Sequence, residues 1–181
     1  MTWIAWLADT PQRLVAVNAA VLLVACTAGW LVGVTASGPA TTHVFEPGRA
    51  EDVDFTRDVM FIVSGNLRVL LALLLGACTL GLLNIMVVAW NGYGLGFGLA
   101  VLSEGSPAVV QMLMRYLPVE FSAIVLASTG AMLLSRWIVG VLLVGDAPRL
   151  KSAGCLGAAS LLLIVLAAII EAGVKQDLAT P

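Results

Sequence analysis

The sequence contains very little charge. Only 11% of its 181 residues are Asp, Glu, Lys or Arg, whereas soluble globular domains carry about 25%. The nine Lys and Arg residues are scattered rather than clustered. This scatter excludes the basic stripe that nucleic acid requires and the polybasic segment that binds anionic lipids. We therefore expect no nucleic-acid partner.

Metal ligands and paired cysteines are also scarce. The chain has one histidine, and each of its three cysteines lies within an apolar run: Cys26, Cys78 and Cys155. We therefore predict no metal site, no bound cofactor and no disulfide framework. Signatures of serine hydrolases, zinc proteases and phosphate-binding loops are missing. Because His43 lies in a polar loop rather than in a span, an intramembrane Ser–His pair is not expected, and the chain is predicted not to be an enzyme.

Apolar residues are abundant instead. They make up 60% of the chain, and the mean hydropathy is +1.02. At about 1.5 Å per residue, about 20 apolar residues cross a bilayer as a helix. The sequence therefore predicts a single all-α domain that crosses the membrane about five times, in a helical bundle. The predicted spans are residues 14–35, 67–90, 93–102, 117–144 and 153–172.

The apolar stretch 67–102 is interrupted by polar and small residues, Trp90-Asn91-Gly92-Tyr93-Gly94. Asn can satisfy backbone groups that a helix break frees, and Gly permits the necessary conformation. We therefore predict two helices separated by a break at Asn91-Gly92. The second is too short to cross alone, so we expect it to be bent or partly re-entrant.

Two segments lie outside the predicted spans. Residues 1–13 have the amphipathic, Trp-containing character of a short helix at the membrane interface. Residues 36–58 form an acidic polar loop, which is either solvated or a docking surface. The N-terminus lacks the features of a cleaved signal peptide. Arg149 and Lys151 in the shortest loop favour a cytoplasmic N-terminus, although the other basic residues oppose this orientation.

Polar residues within the predicted spans are the candidates for function, because an ionisable group near the bilayer centre costs about 2.5–3.5 kcal/mol. We expect Arg68, Glu120 and Glu171 to meet on one side of the membrane, with Arg136 near the other face beside Asn91. These three charges would form either a structural clamp or a site that responds to protons or ions. Alternatively, their side chains extend to the membrane interface. The full set of candidates is Arg68, Asn91, Gly92, Gly96, Glu120, Arg136 and Glu171.

The glycines that follow Asn91 have a spacing of their own. Gly92 and Gly96, like Gly94 and Gly98, are separated by three residues. Small residues at this spacing allow two membrane helices to approach closely. We therefore predict close helix packing along this segment, and we expect Gly92→Leu to disrupt it.

An ordered set of short motifs runs from Phe61 to the C-terminus. It comprises Asn66-x-Arg68, Gly76 and Gly81, Asn91-Gly92-x-x-x-Gly96, Leu117-Pro118 with Glu120, Ala123-Ile124, Gly130, Ile169-Ile170-Glu171-Ala172 and Thr180-Pro181. In this order and spacing the chain resembles the stage II sporulation protein M family of bacterial membrane proteins, over about two thirds of its length. It departs from that family in having no histidine between Pro118 and Glu120.

The resemblance implies a non-enzymatic role in the bacterial cytoplasmic membrane. The family's namesake anchors and recruits peptidoglycan-degrading proteins, and relatives accompany ABC-type exporters and the biosynthesis of circular bacteriocins. Two hypotheses follow. In the first, the chain is a scaffold subunit of an envelope complex whose partners are membrane or envelope proteins. In the second, it is a permease-like subunit, similar in outline to ABC-2 exporters, that works with a separate ATPase. Self-association is left open.

Overall fold

The structure, a computed structural model, consists of helices throughout the part that it describes, residues 10–36, 55–105, 107–144 and 150–179. No strand occurs in these residues, which confirms the predicted all-α fold. Within these described ranges, five helices are long and apolar enough to cross a membrane. They are α1 (Pro11–Ala36), α2 (Phe55–Leu75), α3 (Leu82–Gly105), α4 (Pro107–Val139) and α5 (Leu150–Ala179).

Helix α4 lies at the centre of the bundle. In the most apolar 18-residue stretch of α4, 56% is buried inside the protein, whereas the share is only 17–28% in the corresponding stretches of the other four helices. The outer helices direct large apolar side chains away from the protein; Val24, Trp90 and Leu162 are each more than 70% exposed. Soluble proteins rarely expose so many large apolar side chains together, so this exterior is suited to contact with lipid acyl chains.

Two helix pairs account for most of the packing between elements: α1 with α3, and α4 with α5. Helices α1 and α3 run parallel, because Gly92 lies beside Leu22 while Gly33 lies beside Ala100. Helices α4 and α5 run antiparallel, and the Ser160 hydroxyl of α5 donates a 2.8 Å hydrogen bond to the Ala123 carbonyl of α4. Helix α2 lies at the periphery, against parts of α3, α4 and α5.

The predicted helix break at Asn91-Gly92 is wrong. Asn91 lies within α3, where its side-chain amide donates a 2.8 Å hydrogen bond to the carbonyl of Val87 one turn earlier. The break lies instead between α2 and α3, at a 3₁₀ turn, Gly76–Thr79. There Leu80 and Gly81 adopt positive φ angles of 54° and 83°. At Gly81 this conformation has no steric cost, because glycine lacks a Cβ atom.

The turn between α2 and α3 satisfies much of its own backbone. The Gly81 amide donates to the Gly76 carbonyl at 3.2 Å. The Thr79 hydroxyl donates to the same carbonyl at 2.9 Å and accepts a 3.1 Å hydrogen bond from the Leu83 amide. Backbone groups near the hydrocarbon region need such internal hydrogen-bond partners. Because the turn supplies them itself, it is suited to the membrane boundary although it contains no charged residue.

Moving the break changes the predicted spans. The span predicted for residues 67–90 is divided between α2 and α3, and α3 is a continuous 24-residue helix rather than a short or re-entrant one. Helix α2 already begins at Phe55, inside the segment expected to be a polar loop. Helix α4 begins at Pro107, ten residues before the predicted start of the fourth span, and contains Pro118.

Pro118 does not interrupt α4, although proline removes one backbone donor from a helix. The helix continues through it, and the Ser122 hydroxyl donates an additional 2.8 Å hydrogen bond to the Pro118 carbonyl one turn earlier. Helix α4 is followed by a π-helical turn, Gly140–Val144. Helix α5 extends beyond the predicted fifth span at both ends.

Several predicted segments lie wholly or mostly outside the described residues. The first is the interfacial helix predicted for residues 1–13, of which only the last four residues are described. The others are the acidic loop between α1 and α2 and the short basic loop between α4 and α5.

Candidate functional site

Two carboxylates from neighbouring helices lie near each other beside the centre of the bundle. Glu120 of α4 and Glu171 of α5 are both partly buried, and they interact electrostatically. The Asn66 side chain of α2 faces Glu120 and interacts with its carboxylate. Tyr116, which is 6% exposed, lies one turn before Glu120 and close to both carboxylates. Three helices thus contribute to one polar cluster, which we call the carboxylate cluster: Asn66, Tyr116, Glu120 and Glu171.

A narrow crevice lies beside this cluster, between α2, α4 and α5. Asn66 and Glu120 supply its polar atoms, and the other lining residues are Val69, Leu70, Leu73, Ile124, Ala127 and Ile164. The space is about large enough for one water molecule. The Glu120 carboxylate and the Asn66 amide can hold a water molecule here. Within the described residues, no three His, Cys, Asp or Glu side chains are arranged to hold a metal ion.

The expected clamp between Arg68 and these carboxylates is not formed. Arg68 is exposed, and the polar partner of Glu120 from α2 is Asn66 instead. The reason is the helical rotation of about 100° per residue, which places residues two positions apart on nearly opposite sides of a helix. Because Asn66 faces the bundle, Arg68 faces outward.

Substitutions in the carboxylate cluster are therefore expected to change the free energy of unfolding less than substitutions in a buried ion-pair clamp would. We expect Glu120→Gln to change the free energy of unfolding by about 1 kcal/mol or less, because Gln keeps an acceptor for Asn66 and removes the repulsion from Glu171. The measurement is the thermal unfolding midpoint in detergent. A loss of about 3–5 kcal/mol, as for breaking a buried ion pair, would contradict this arrangement and restore the clamp.

Glycines bring α1 and α3 into close contact over about three helical turns. A Cβ atom on Gly92 would lie 2.5 Å from the Leu22 carbonyl oxygen, and one on Gly96 would overlap the Cys26 carbonyl. From the other helix, Gly29 approaches the backbone of Tyr93, and Gly33 would meet the Ala100 Cβ at 2.5 Å. The predicted small-residue spacing therefore corresponds to a close backbone contact at Gly92 and Gly96. We call these four residues, Gly29, Gly33, Gly92 and Gly96, the glycine seam.

The other glycines of the predicted pattern do not take part. A Cβ atom on Gly94 or Gly98 would have no neighbouring atom within 4 Å, because both residues lie on the side of α3 that faces away from α1. The partner glycines of α1, Gly29 and Gly33, were not among the candidates. Their own spacing of four residues is the signal that identifies them, since two helices with the same small-residue spacing can pack against each other.

A buried polar network links α1 to α4 and was also missed from sequence. The Asn18 side chain is 0% exposed. Its amide donates to the Leu14 carbonyl at 3.0 Å and to Thr129 Oγ1 at 3.2 Å, and its carbonyl oxygen accepts a 2.9 Å bond from the Ser128 hydroxyl. Asn inside an apolar span is the available signal, because such a residue needs a partner in the bundle.

Arg136 is buried in the last turn of α4, at 4% exposure. It lies 16 residues after Glu120, about 24 Å along the helix axis towards the C-terminal end of α4. It is not beside Asn91, however. Gly92 packs at the level of Leu22, and Leu22 belongs to the same core cluster as Val125, which precedes Arg136 by three turns.

The fold and these polar groups define the class of the protein. It is a multi-pass α-helical membrane protein, with a carboxylate cluster on one side of the central helix and a glycine seam on the other. No protein-family model, no curated protein and no solved structure matches the chain.

Proposed function

We propose that this protein is a non-catalytic subunit of a multi-protein complex in the bacterial cytoplasmic membrane, where it acts as a scaffold that holds or recruits envelope proteins. The observation that carries the proposal is the close packing of its interior. The glycine seam brings α1 and α3 into backbone contact, and the crevice beside α4 holds about one water molecule. A bundle of this kind provides a rigid frame, and its interactions with other proteins are left to its outer surface.

The resemblance to stage II sporulation protein M proteins supports the same role. The namesake of that family anchors and recruits peptidoglycan-degrading proteins. The matching residues of this chain have structural roles that suit such a frame: Gly81 forms the α2–α3 turn, and Gly92 and Gly96 form half of the glycine seam.

The second candidate is a permease-like subunit that works with a separate ABC-type ATPase. The observation that favours it is the carboxylate cluster, because partly buried carboxylates in membrane helices commonly mark ion or proton pathways. In that case the cluster would lie on the path of the transported species. The narrowness of the crevice supports the scaffold more than a path through a single copy of the chain.

Affinity purification in mild detergent, with mass spectrometry of the proteins that accompany the chain, separates the two candidates. We expect envelope proteins, such as cell-wall hydrolases, at a fixed ratio to the chain. Recovery of a nucleotide-binding ATPase at a fixed ratio would move the assignment to the exporter subunit. Purification of the chain alone, under conditions that preserve other membrane complexes, would contradict both.

A further inference from the structure

One side of α2 carries an arginine and two small residues although it faces away from the protein. Phe61, Ser64, Gly65 and Arg68 are all exposed, and their spacing of three, four and seven residues places them along one side of the helix. We call these four residues the α2 outer face. Elsewhere the exposed surface of the spans consists mainly of large apolar side chains, so this face differs from the lipid-facing surface around it.

Arg68 lies near the middle of its span. The apolar segment that contains it runs over Phe55–Thr79. Arg68 is 13 residues from the first of these (68 − 55) and 11 from the last (79 − 68), which at 1.5 Å per residue is about 20 Å and about 17 Å. An arginine in contact with lipid acyl chains at this depth is energetically unfavourable. Acyl chains are therefore a poor environment for the α2 outer face.

The chain itself offers Arg68 little compensation. Among the residues that the structure describes, none forms a hydrogen bond or an ion pair with Arg68. Glu120, the nearest candidate in the predicted clamp, interacts with Asn66 and Glu171. The Ser64 hydroxyl is occupied by a 2.7 Å hydrogen bond to the Phe61 carbonyl of its own helix. The positive charge is thus available to a group from another molecule.

The shape of the face suits a helix. A Cβ atom on Gly65 would have no atom within 4 Å, and Ser64 beside it is also small. Small residues next to a polar group allow a second membrane helix to approach closely and to form a hydrogen-bonded contact. Phe61, at 77% exposure, provides an aromatic anchor one turn above Gly65.

A second copy of this chain is a poor occupant for reasons of charge. A two-fold axis along the membrane normal brings the same residue of both copies to the same depth, so two copies joined through this face would place Arg68 against Arg68. Like charges at close range in a medium of low dielectric repel strongly. A different chain with a negative group at that depth is attracted instead.

We propose that the α2 outer face binds a transmembrane helix of a different protein, and that this helix carries an Asp or Glu near its midpoint that pairs with Arg68. The inference rests on the proposed function, since it assigns the surface through which the subunit meets a membrane partner. It deepens that function by naming the residue that recognises the partner and the charge that the partner must supply.

The test is photo-crosslinking in native membranes, with p-benzoylphenylalanine in place of Phe61. We expect a discrete adduct with another protein, and mass spectrometry should place the crosslink in a transmembrane segment that contains an Asp or Glu. The matched control replaces Leu162 of α5, which is also exposed at 72%, and should yield lipid adducts only. Adding Arg68→Leu should weaken the Phe61 adduct about 30-fold, which corresponds to about 2 kcal/mol for losing one member of a buried charge pair.

Two further variants separate charge from folding. Arg68→Lys should keep most of the adduct, because it keeps the charge. Arg68→Leu should leave the unfolding midpoint in detergent unchanged, since Arg68 is exposed and forms no hydrogen bond or ion pair in the described part of the chain. Lipid adducts alone at Phe61, an adduct with a second copy, or an adduct that Arg68→Leu does not weaken would each overturn the proposal. If a partner co-purifies at a fixed ratio but does not crosslink here, this inference fails while the proposed function stands; if no partner co-purifies, the proposed function fails.

Discussion

Replacing Gly96 by leucine is expected to abolish most of the folded protein. A Cβ atom at this position overlaps the Cys26 carbonyl and lies 2.8 Å from the Trp30 amide nitrogen. Both are backbone atoms, which cannot rotate away as a side chain can. Overpacking of a well-packed interior commonly costs about 1–3 kcal/mol, and we expect Gly96→Leu to exceed about 3 kcal/mol because α1 and α3 must separate. Detergent size-exclusion chromatography and the unfolding midpoint measure the loss.

The same helix provides the control. Gly94→Leu introduces the same side chain two residues away, where a Cβ has no neighbour within 4 Å. We expect this variant to keep the unfolding midpoint of the wild type, or to raise it slightly, because leucine is a better helix former than glycine. Equal losses for Gly94→Leu and Gly96→Leu would show that the cost arises within α3 alone, and would contradict the contact with α1.

Replacing Asn18 by leucine is expected to have the next largest effect. Asn18 is fully buried and exchanges hydrogen bonds with Ser128 and Thr129 of the central helix. Leucine keeps the branching at Cγ but has no hydrogen-bonding atoms, so the Ser128 hydroxyl loses its acceptor, while the Thr129 hydroxyl keeps its bond to the Val125 carbonyl. Buried polar groups without partners cost about 1–3 kcal/mol, whereas single hydrogen bonds between membrane helices contribute about 0.6 kcal/mol on average. We therefore expect a loss of about 1–3 kcal/mol in the free energy of unfolding.

Thr27→Val is the matched control for Asn18→Leu. Thr27 also lies on α1, but it is exposed and its hydroxyl donates only to the Leu23 carbonyl of its own helix, at 2.9 Å. Its replacement removes a polar group of the same helix without touching α4, so the unfolding midpoint should be unchanged. A midpoint for Asn18→Leu that also equals the wild type would mean that the network between α1 and α4 contributes no stability.

The number of spans is predictable from the sequence because long apolar runs have few alternatives to membrane helices. The position of the break between α2 and α3 is not. Asn91-Gly92 and Thr79–Gly81 have similar local composition, and each can end a helix or continue one. The difference is tertiary: α3 needs Gly92 and Gly96 inside a straight helix to contact α1, while Gly81 is free to adopt a positive φ.

The orientation of α2 explains why the carboxylate cluster was only partly predicted. The sequence identifies Glu120 and Glu171 as intramembrane carboxylates, and the structure brings them together. It does not reveal which polar residue of α2 faces them, since α2 is apolar on both sides after Arg68 and hydrophobic periodicity therefore gives no direction. Packing decides the rotation: Leu70, Leu73 and Ala77 are buried, and they share a side of the helix with Asn66 rather than with Arg68.

These features fit one account of the molecule. The glycine seam and the Asn18 network fix α1, α3 and α4 relative to one another, and α5 packs along α4. Helix α2 completes the bundle at its edge, with Asn66 directed at Glu120 and Arg68 directed outward. A rigid frame with one outer face that carries an arginine is suited to holding another membrane protein.

The mass of the intact assembly is the most direct test of this account. The chain has a mass of 18.8 kDa, and native mass spectrometry after extraction in mild detergent resolves which chains accompany it. The account predicts a species that contains this chain and at least one different membrane protein at a fixed ratio, and predicts that Arg68→Leu reduces that species. A spectrum that contains only 18.8 kDa or its multiples, for the wild type and the variant alike, would contradict it.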